Sequence, residues 1–533
     1  MNVARSLMVL LAFTQALPAA TSTNLPPPPA ASPAELQRQI TDHLAAPRFH
    51  TAQWGIKVVS LDGGQVLFEH RADQLLSPAS NTKLFTTALA LDRFGPNYRI
   101  KTSILAPSRP DAAGQLSGDL IVFGRGDPTL NSRVRGGTIG RALDLFVNTI
   151  KSAGIQRIDG DLIGDESFFR GSPFGTGWAI DDLQSYFGAE ISALTFNDNT
   201  LDVAVKPAKQ AGVPALVSLS VSNSMMILSN RVSTVAKGGK TSIDLYRPFG
   251  ENLLYVSGTI AIESSFKDEI PVHRPARLFV ELLRQALTQQ NITVTGRARV
   301  VDWKDREGSP LHLAGLIELG VVESLPLSDI VREIQKPSQN LYTDLLLAHV
   351  GEMSRPTKAG ANQTSEEAGI VALNAFLPKA GIKKSDVLFE EGSGLSRNNL
   401  VTPNAIVSLL TYMHRQPTGS VYFDALPVAG VDGTLRTRFK KTPAEGNLRA
   451  KTGSLRWASS LSGTLTNAVG EPLLFSIMVN RYNNLDPDHS ARAEIDALAL
   501  MMARSTFRTK PDANKAAKPR ADAANDALAG KPN

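Results

Sequence analysis

Apolar residues recur with helical spacing most clearly over residues 275–289, where Leu278, Leu282, Leu283 and Leu287 fall on one stripe behind Pro275. The same period predicts helices over 34–46, 81–94, 327–335, 341–349, 366–377, 403–413 and 490–502. The 81–94 segment is apolar on most faces, so it is expected to be buried, and Gly95-Pro96 ends it. Strands are expected at 55–61 and 66–70, joined by the turn signal Asp62-Gly63-Gly64, and again at 459–466 and 473–480. Between residues 100 and 270 short β-rich stretches (117–123, 159–163, 200–205, 216–222, 253–263) alternate with Gly, Asp, Asn and Pro. Strands thus open the chain, helices fill its middle, and strands and a helix close it. The economical packing is an α/β (α+β) body whose sheet draws on both ends of the chain, formed by 34–105 and 271–507. A mostly β insertion over 106–270 splits it, with a nested subdomain at about 196–262.

The ends read differently. Residues 1–20 have a positive start at Arg5, an apolar core from Leu7 to Phe13 and small residues at Pro18-Ala19-Ala20, the pattern of an export signal. Residues 21–33 are a Pro-rich linker. Residues 508–533, rich in Ala, Lys, Pro and Asp, are expected to be a disordered tail.

Composition narrows the chemistry. The chain has 533 residues, 42% hydrophobic and 20% charged, which is ordinary for a globular protein. The absence of cysteine removes disulfides, thiolate nucleophiles and iron–sulfur ligands. The 8 histidines are scattered and form no His-Glu-x-x-His, so no metal site is indicated. The net charge of +6 is thin, and Lys and Arg do not gather with aromatics, which argues against nucleic acid as a partner. Gly239-Lys240-Thr241 ends like a phosphate loop, but Thr234 stands where the loop needs glycine, so a turn is expected.

Three short motifs carry chemistry. Ser80-Asn81-Thr82-Lys83 opens the buried helix and puts the serine and the lysine one turn apart, where a neutral amine can reach the hydroxyl. Burial and a second cation would each lower the lysine's proton affinity. Ser338-Gln339-Asn340 follows Pro337 at an interhelical corner. Lys451-Thr452-Gly453 precedes the late strands, with a cation and a hydroxyl for a carboxylate and a glycine for close approach. Each has a structural alternative: Ser80 and Ser338 could be helix caps, and Ser264-Ser265-Phe266-Lys267, Ser22-Thr23-Asn24 and Ser396-Arg397-Asn398 repeat the spacings. The three motifs in this order nevertheless match the set used by penicillin-binding proteins and class A β-lactamases.

With these motifs stand Gly124-Arg125-Gly126-Asp127-Pro128-Thr129-Leu130, Asn197-Asp198-Asn199-Thr200, Gly392-Ser393-Gly394-Leu395-Ser396 and Ala429-Gly430-Val431-Asp432-Gly433-Thr434-Leu435. Together they resemble the class C low-molecular-mass penicillin-binding proteins, D-alanyl-D-alanine carboxypeptidases/endopeptidases of the penicillin-binding protein 4 type, over about residues 36–507. Gln339 and Glu391 stand where that family usually has Asp. The resemblance implies a transpeptidase/β-lactamase-like fold split by the insertion. It also implies an exported, periplasmic serine enzyme that cleaves D-Ala-D-Ala ends and D-Ala–diaminopimelate crosslinks of peptidoglycan and is acylated by β-lactams, without metal or cofactor. It assigns Ser80 as nucleophile, Lys83 as base, Ser338 as proton relay and Asn340 as orienting group. Lys451 would depress the Lys83 pKa and, with Thr452, bind the terminal carboxylate on the Gly453 strand. The backbone N–H groups of Ser80 and Ser454 would form the oxyanion hole. Asp165 would take the amine of the stem peptide's third residue, against a turn-capping alternative. A β-lactamase or esterase of the same fold, and a non-catalytic wall-binding scaffold, are the alternatives. Oligomeric state and peripheral membrane or wall association stay open.

Overall fold

The computed structural model describes residues 28–509 apart from 222–224, 310, 312, 357–361 and 485. The expected export signal, the linker up to residue 27 and the tail beyond residue 509 lie outside the described residues, as does the Ser22-Thr23-Asn24 repeat.

An antiparallel five-stranded sheet forms the body, in the order Arg449–Leu455, Ala458–Thr466, Pro472–Asn480, Gln53–Ser60, Val66–His70. Residues from the two ends of the chain meet in its middle, where Gln53 pairs with Asn480 and Ser60 with Leu473. Pro472–Asn480 is buried at every position after the first, because helices cover both faces. Pro33–Leu44 and Ala491–Arg504 bury Leu36, Ile40, Ile495, Leu498 and Met502 on one face. On the other, Thr82–Phe94, Leu327–Gln335, Asn340–Ser354 and Pro403–His414 build the largest core, around Leu84, Phe85, Leu345 and Leu409. The helix expected to be buried is so, from Thr82 through Leu91.

The stretch between the two halves is not as β-rich as its turn residues suggest. A second five-stranded sheet runs in the order Ala298–Val301, Leu162–Asp165, Leu120–Phe123, Lys101–Ala106, Ile317–Glu323. Two helices, Ile139–Ser152 and Pro275–Gln289, pack with it, and Phe146 meets Phe279 edge-on at 5.0 Å. The first of these helices was not foreseen. Ala298–Val301, in a stretch expected in the body, pairs with Leu162–Asp165 of the insertion, and Ile317–Glu323 pairs with Lys101–Ala106. Residues 200–271 form two three-stranded sheets, one within Ile227–Ala261 and one joining Phe266–Pro271 to Thr200–Lys206 and Leu216–Leu219.

The end of the expected linker is fastened down. Ala30 is buried, Ser32 caps the first helix, and the Ala30 carbonyl accepts from Thr506 N at 2.8 Å. At the other end Arg508 donates to the Val469 carbonyl and Thr509 N to Glu471, so the ordered chain runs past residue 508.

Candidate active site

Ser80 sits in a 3₁₀ turn, Ala79–Asn81, that feeds directly into Thr82–Phe94. It does not cap that helix, whose N-cap makes no side-chain hydrogen bond. Ala79 holds a left-handed φ of 48°, a conformation kept only when the surroundings enforce it. Gly394 packs against the Ala79 carbonyl, leaving no room for a Cβ.

One turn on, Lys83 is wholly buried, and its Nζ has three neighbours: Ser80 Oγ at 2.9 Å, Asn340 Oδ1 at 2.7 Å and the Ser393 carbonyl at 2.6 Å. Two of these are fixed acceptors. A carbonyl cannot donate, and the Asn340 amide is oriented by Nδ2 donating to the Phe187 carbonyl at 3.1 Å. Only the Ser80 hydroxyl can turn round. When Lys83 is neutral, its two N–H bonds go to the two carbonyl oxygens and its lone pair is left facing the Ser80 O–H. Burial lowers the Lys83 pKa to about 8, while Asp344 and Glu391 oppose the fall.

Ser338 also has left-handed backbone, φ 68°, at the corner between Leu327–Gln335 and Asn340–Ser354. The cap of the second helix is Gln339, whose Oε1 accepts from Leu341 N, so Ser338 is free of that duty. Its Oγ lies 2.7 Å from Lys451 Nζ, which also donates to the Thr452 carbonyl at 2.9 Å. Lys451 is fully buried. Burial and the charge of Lys83 hold its proton affinity well below that of an ordinary lysine. Burial is the main cause of the lowering at Lys83 as well.

Lys451, Thr452, Gly453 and Ser454 lie within the edge strand Arg449–Leu455, which packs against the Ser80 turn. Ser454 is exposed. Thr452 Oγ1 is 2.8 Å from Thr434 Oγ1. Gly453 has a local reason for lacking a side chain: a Cβ would sit 2.5 Å from the Pro78 carbonyl oxygen. The glycine lets the strand approach the nucleophile's own turn.

Ser80, Lys83, Ser338, Asn340, Lys451 and Thr452 are therefore in one place. Asp165 is not with them. It ends the strand Leu162–Asp165 fully buried, its Oδ2 gripped by Arg306 Nε at 3.0 Å and Nη2 at 2.5 Å and its Oδ1 accepting from Ser167 N. A buried carboxylate already neutralised by a guanidinium has no face for a substrate amine. The insertion reaches the site elsewhere, through Phe187. Phe187, Ser393, Asp344 and Thr434 had no role assigned from sequence: Phe187 and Ser393 act through backbone carbonyls, Asp344 lies in no motif, and Thr434 lies in a quoted stretch with no function attached. Of the decoys, Ser264 lies in a turn with Lys267 exposed, and Ser396 Oγ is tied to Glu390. Gly239-Lys240-Thr241 is an exposed turn before Ser242–Tyr246.

Comparison with known proteins agrees with this geometry. The sequence pattern of the D-Ala-D-Ala carboxypeptidase 3 (S13) family matches residues 36–504. A D-alanyl-D-alanine carboxypeptidase of Actinomadura sp. (strain R39) is 32% identical over 521 residues, covering 95% of this chain and 90% of that protein. D-alanyl-D-alanine carboxypeptidase DacB of Haemophilus influenzae is 28% identical over 445 residues, 81% of this chain and 86% of that one. The crystal structure of penicillin-binding protein 4 from Haemophilus influenzae superposes with a TM-score of 0.73 at 26% identity, covering 86% of this chain and 97% of its own.

Proposed function

The chain belongs to the D-Ala-D-Ala carboxypeptidase 3 (S13) family, and from that premise we propose the roles of its site residues and the range of its substrates. It is a serine-type D-Ala-D-Ala carboxypeptidase with the α/β penicillin-binding fold. The observation that carries the assignment of roles is the set of three neighbours around Lys83 Nζ, two of which can only accept.

Ser80 Oγ attacks the carbonyl carbon of the penultimate D-Ala as its proton passes to the Lys83 lone pair. The oxyanion is held by the N–H groups of Ser80 and Ser454, donors of a kind worth roughly 10²–10³ in rate. The C–N bond then breaks. The departing D-Ala amine takes, by way of Ser338, the proton that Lys83 received, which leaves Lys83 neutral again; Ser338 Oγ lies 2.7 Å from Lys451 Nζ. Lys451, Thr452 and, through it, Thr434 receive the terminal carboxylate. Water, deprotonated by Lys83, attacks the ester and frees Ser80. Asn340 keeps the lysine aimed throughout.

The same steps suit a D-Ala–diaminopimelate crosslink, whose leaving amine occupies the place of the terminal D-Ala, so the enzyme is also an endopeptidase of peptidoglycan. A β-lactam acylates Ser80 and stays, as covalent inhibitors of this fold do. Residues 1–20 export the chain to the bacterial periplasm. No helix among the described residues is long and apolar enough to cross a membrane.

Labelling with a fluorescent penicillin tests the assignment. It should be abolished by Ser80→Ala and by Lys83→Ala and be unaffected by Ser264→Ala. Labelling that survives Ser80→Ala would sink it.

A further inference from the structure

Lys83 is aimed by two acceptors, and only one of them, Asn340, is a side chain. The other is the Ser393 carbonyl, in a turn buried from Glu391 through Ser396. What fixes that turn is the Glu391 side chain, itself fully buried. Its Oε2 accepts from Ser393 N at 2.8 Å and from Ser393 Oγ at 2.5 Å. Its Oε1 accepts from Gly394 N at 2.6 Å and Asn399 Nδ2 at 2.7 Å. A carboxylate offers about four lone-pair directions, and all are used inward on its own turn. The turn in turn touches the nucleophile's helix at three points: the Ser393 carbonyl on Lys83, the Gly392 carbonyl on Thr86 Oγ1 at 2.9 Å, and Gly394 against the Ala79 carbonyl.

We propose that Glu391 is a positioning residue for acylation: its carboxylate sets the Ser393 carbonyl, which with Asn340 Oδ1 directs the Lys83 lone pair at Ser80. The inference rests on the roles given above to Ser80 and Lys83 and adds to them the group that orients the base. Glu391 touches no reacting atom. It acts through a peptide carbonyl, and its charge favours the Lys83 ammonium.

The charged groups that bear on Lys83 are Glu391 from this turn, Asp344 from the helix Asn340–Ser354 and Lys451 from the edge strand. Asp344 Oδ1 accepts from Gly392 N at 3.2 Å, so it borders the same turn. Burial and the neighbouring Glu391 raise its pKa well above the carboxylate range, against the pull of Lys83. Removal of the Glu391 charge would lower that pKa and favour an Asp344 anion in its place. The test is therefore read in an Asp344→Asn background, where the carbonyl facing Gly392 is kept.

Single-turnover acylation by a fluorescent penicillin is followed from pH 6 to 10 for Asp344→Asn alone and with Glu391→Gln or Glu391→Asp. The amide places N–H groups against donors and removes the charge. Acylation should slow by about tenfold or more, and the limb that rises with pH should move to lower pH by about 0.5 unit or more, because a nearby anion had favoured the ammonium. Glu391→Asp keeps the charge and should acylate within about threefold of its parent with the limb in place. An unchanged rate and limb in Glu391→Gln overturns the proposal, and so does equal slowing of both variants with an unmoved limb, which is the behaviour of packing alone. If Glu391→Gln yields no folded protein, the Asp variant decides: a displaced limb there overturns the proposal. Lys83→Ala in the same assay separates the two levels. If it still acylates, the roles of Ser80 and Lys83 fail; if it is inert and Glu391→Gln is normal, only the positioning fails.

Discussion

The Phe187 carbonyl accepts from Asn340 Nδ2 at 3.1 Å, so a residue of the insertion fixes which end of that amide faces Lys83. Asn340→Ala should slow penicillin acylation by about 10²-fold through loss of one of the two acceptors that aim the amine. Asn340→Asp should move the limb that rises with pH upward, since a carboxylate beside Lys83 favours the ammonium. A limb that stays in place or moves down in Asn340→Asp would contradict the orientation described here.

Acylation by wild-type protein should rise between pH 7 and 9 with a midpoint near the Lys83 pKa of about 8. The sign follows from the role: the lysine must be neutral to take the serine proton, so loss of its proton as pH increases raises the rate. Rate constants that are flat across this interval would show that Lys83 is not the titrating base.

Thr434 Oγ1 lies 2.8 Å from Thr452 Oγ1 and orients that hydroxyl. Thr434→Val should raise KM for a D-Ala-D-Ala peptide by about threefold to tenfold and leave the Lys83 limb in place. Steady-state hydrolysis with parallel pH profiles checks this. A drop confined to kcat would refute the link to the carboxylate.

Asp165→Asn leaves Arg306 with half of a buried ion pair, which should cost about 3 kcal/mol of stability. Folded protein should still be acylated by penicillin at the wild-type rate, and hydrolysis of diaminopimelate-containing peptides should not fall selectively. Thermal melts and the two activities decide it. A selective loss on those peptides would restore a recognition role.

Glu494 is held by Arg48 Nε at 2.7 Å, His43 Nε2 at 2.9 Å and His489 Nδ1 at 2.9 Å. Hydrogen bonds from His43 and Arg48 outweigh burial and lower its pKa to about 2 from an ordinary 4.5. A depressed carboxylate contributes stability that is present above its unfolded pKa and lost as pH falls toward the folded value. Glu494→Gln should lower Tm by about 2–4 °C at pH 7, with the difference shrinking between pH 4.5 and 2. A Tm difference that is constant with pH would rule out the ionic contribution.

What the sequence made legible, and what it did not, follows from where the information lies. Pro275–Gln289, Leu327–Gln335 and Val66–His70 lie where their periodicity and punctuation put them, because local pattern and tertiary burial agree there. Ile139–Ser152 escaped notice although Ala142, Leu143, Phe146, Val147 and Ile150 have helical spacing, since Gly136-Gly137 and the turns around it suggested strands. The pairing of Ala298–Val301 with Leu162–Asp165 was not legible, because it is a long-range fact with no local mark. In the site, side chains in motifs were readable, whereas the Phe187 and Ser393 carbonyls were not, because any residue type supplies a carbonyl. The ion pair of Asp165 was not readable either, because its partner, Arg306, lies far along the chain.

The pairing of Gln53–Ser60 with Pro472–Asn480 has a consequence for the order of synthesis. The nucleophile and its lysine are made early, but the strand that carries Lys451 and the one that closes the sheet are among the last segments to emerge. An amino-terminal fragment that stops before Pro472 leaves Gln53–Ser60 paired on one side only, with Val66–His70, and cuts Arg449–Leu455 and Ala458–Thr466 off from it. Joining the strand of Lys451 to the rest of the sheet thus waits on one of the last strands to be made.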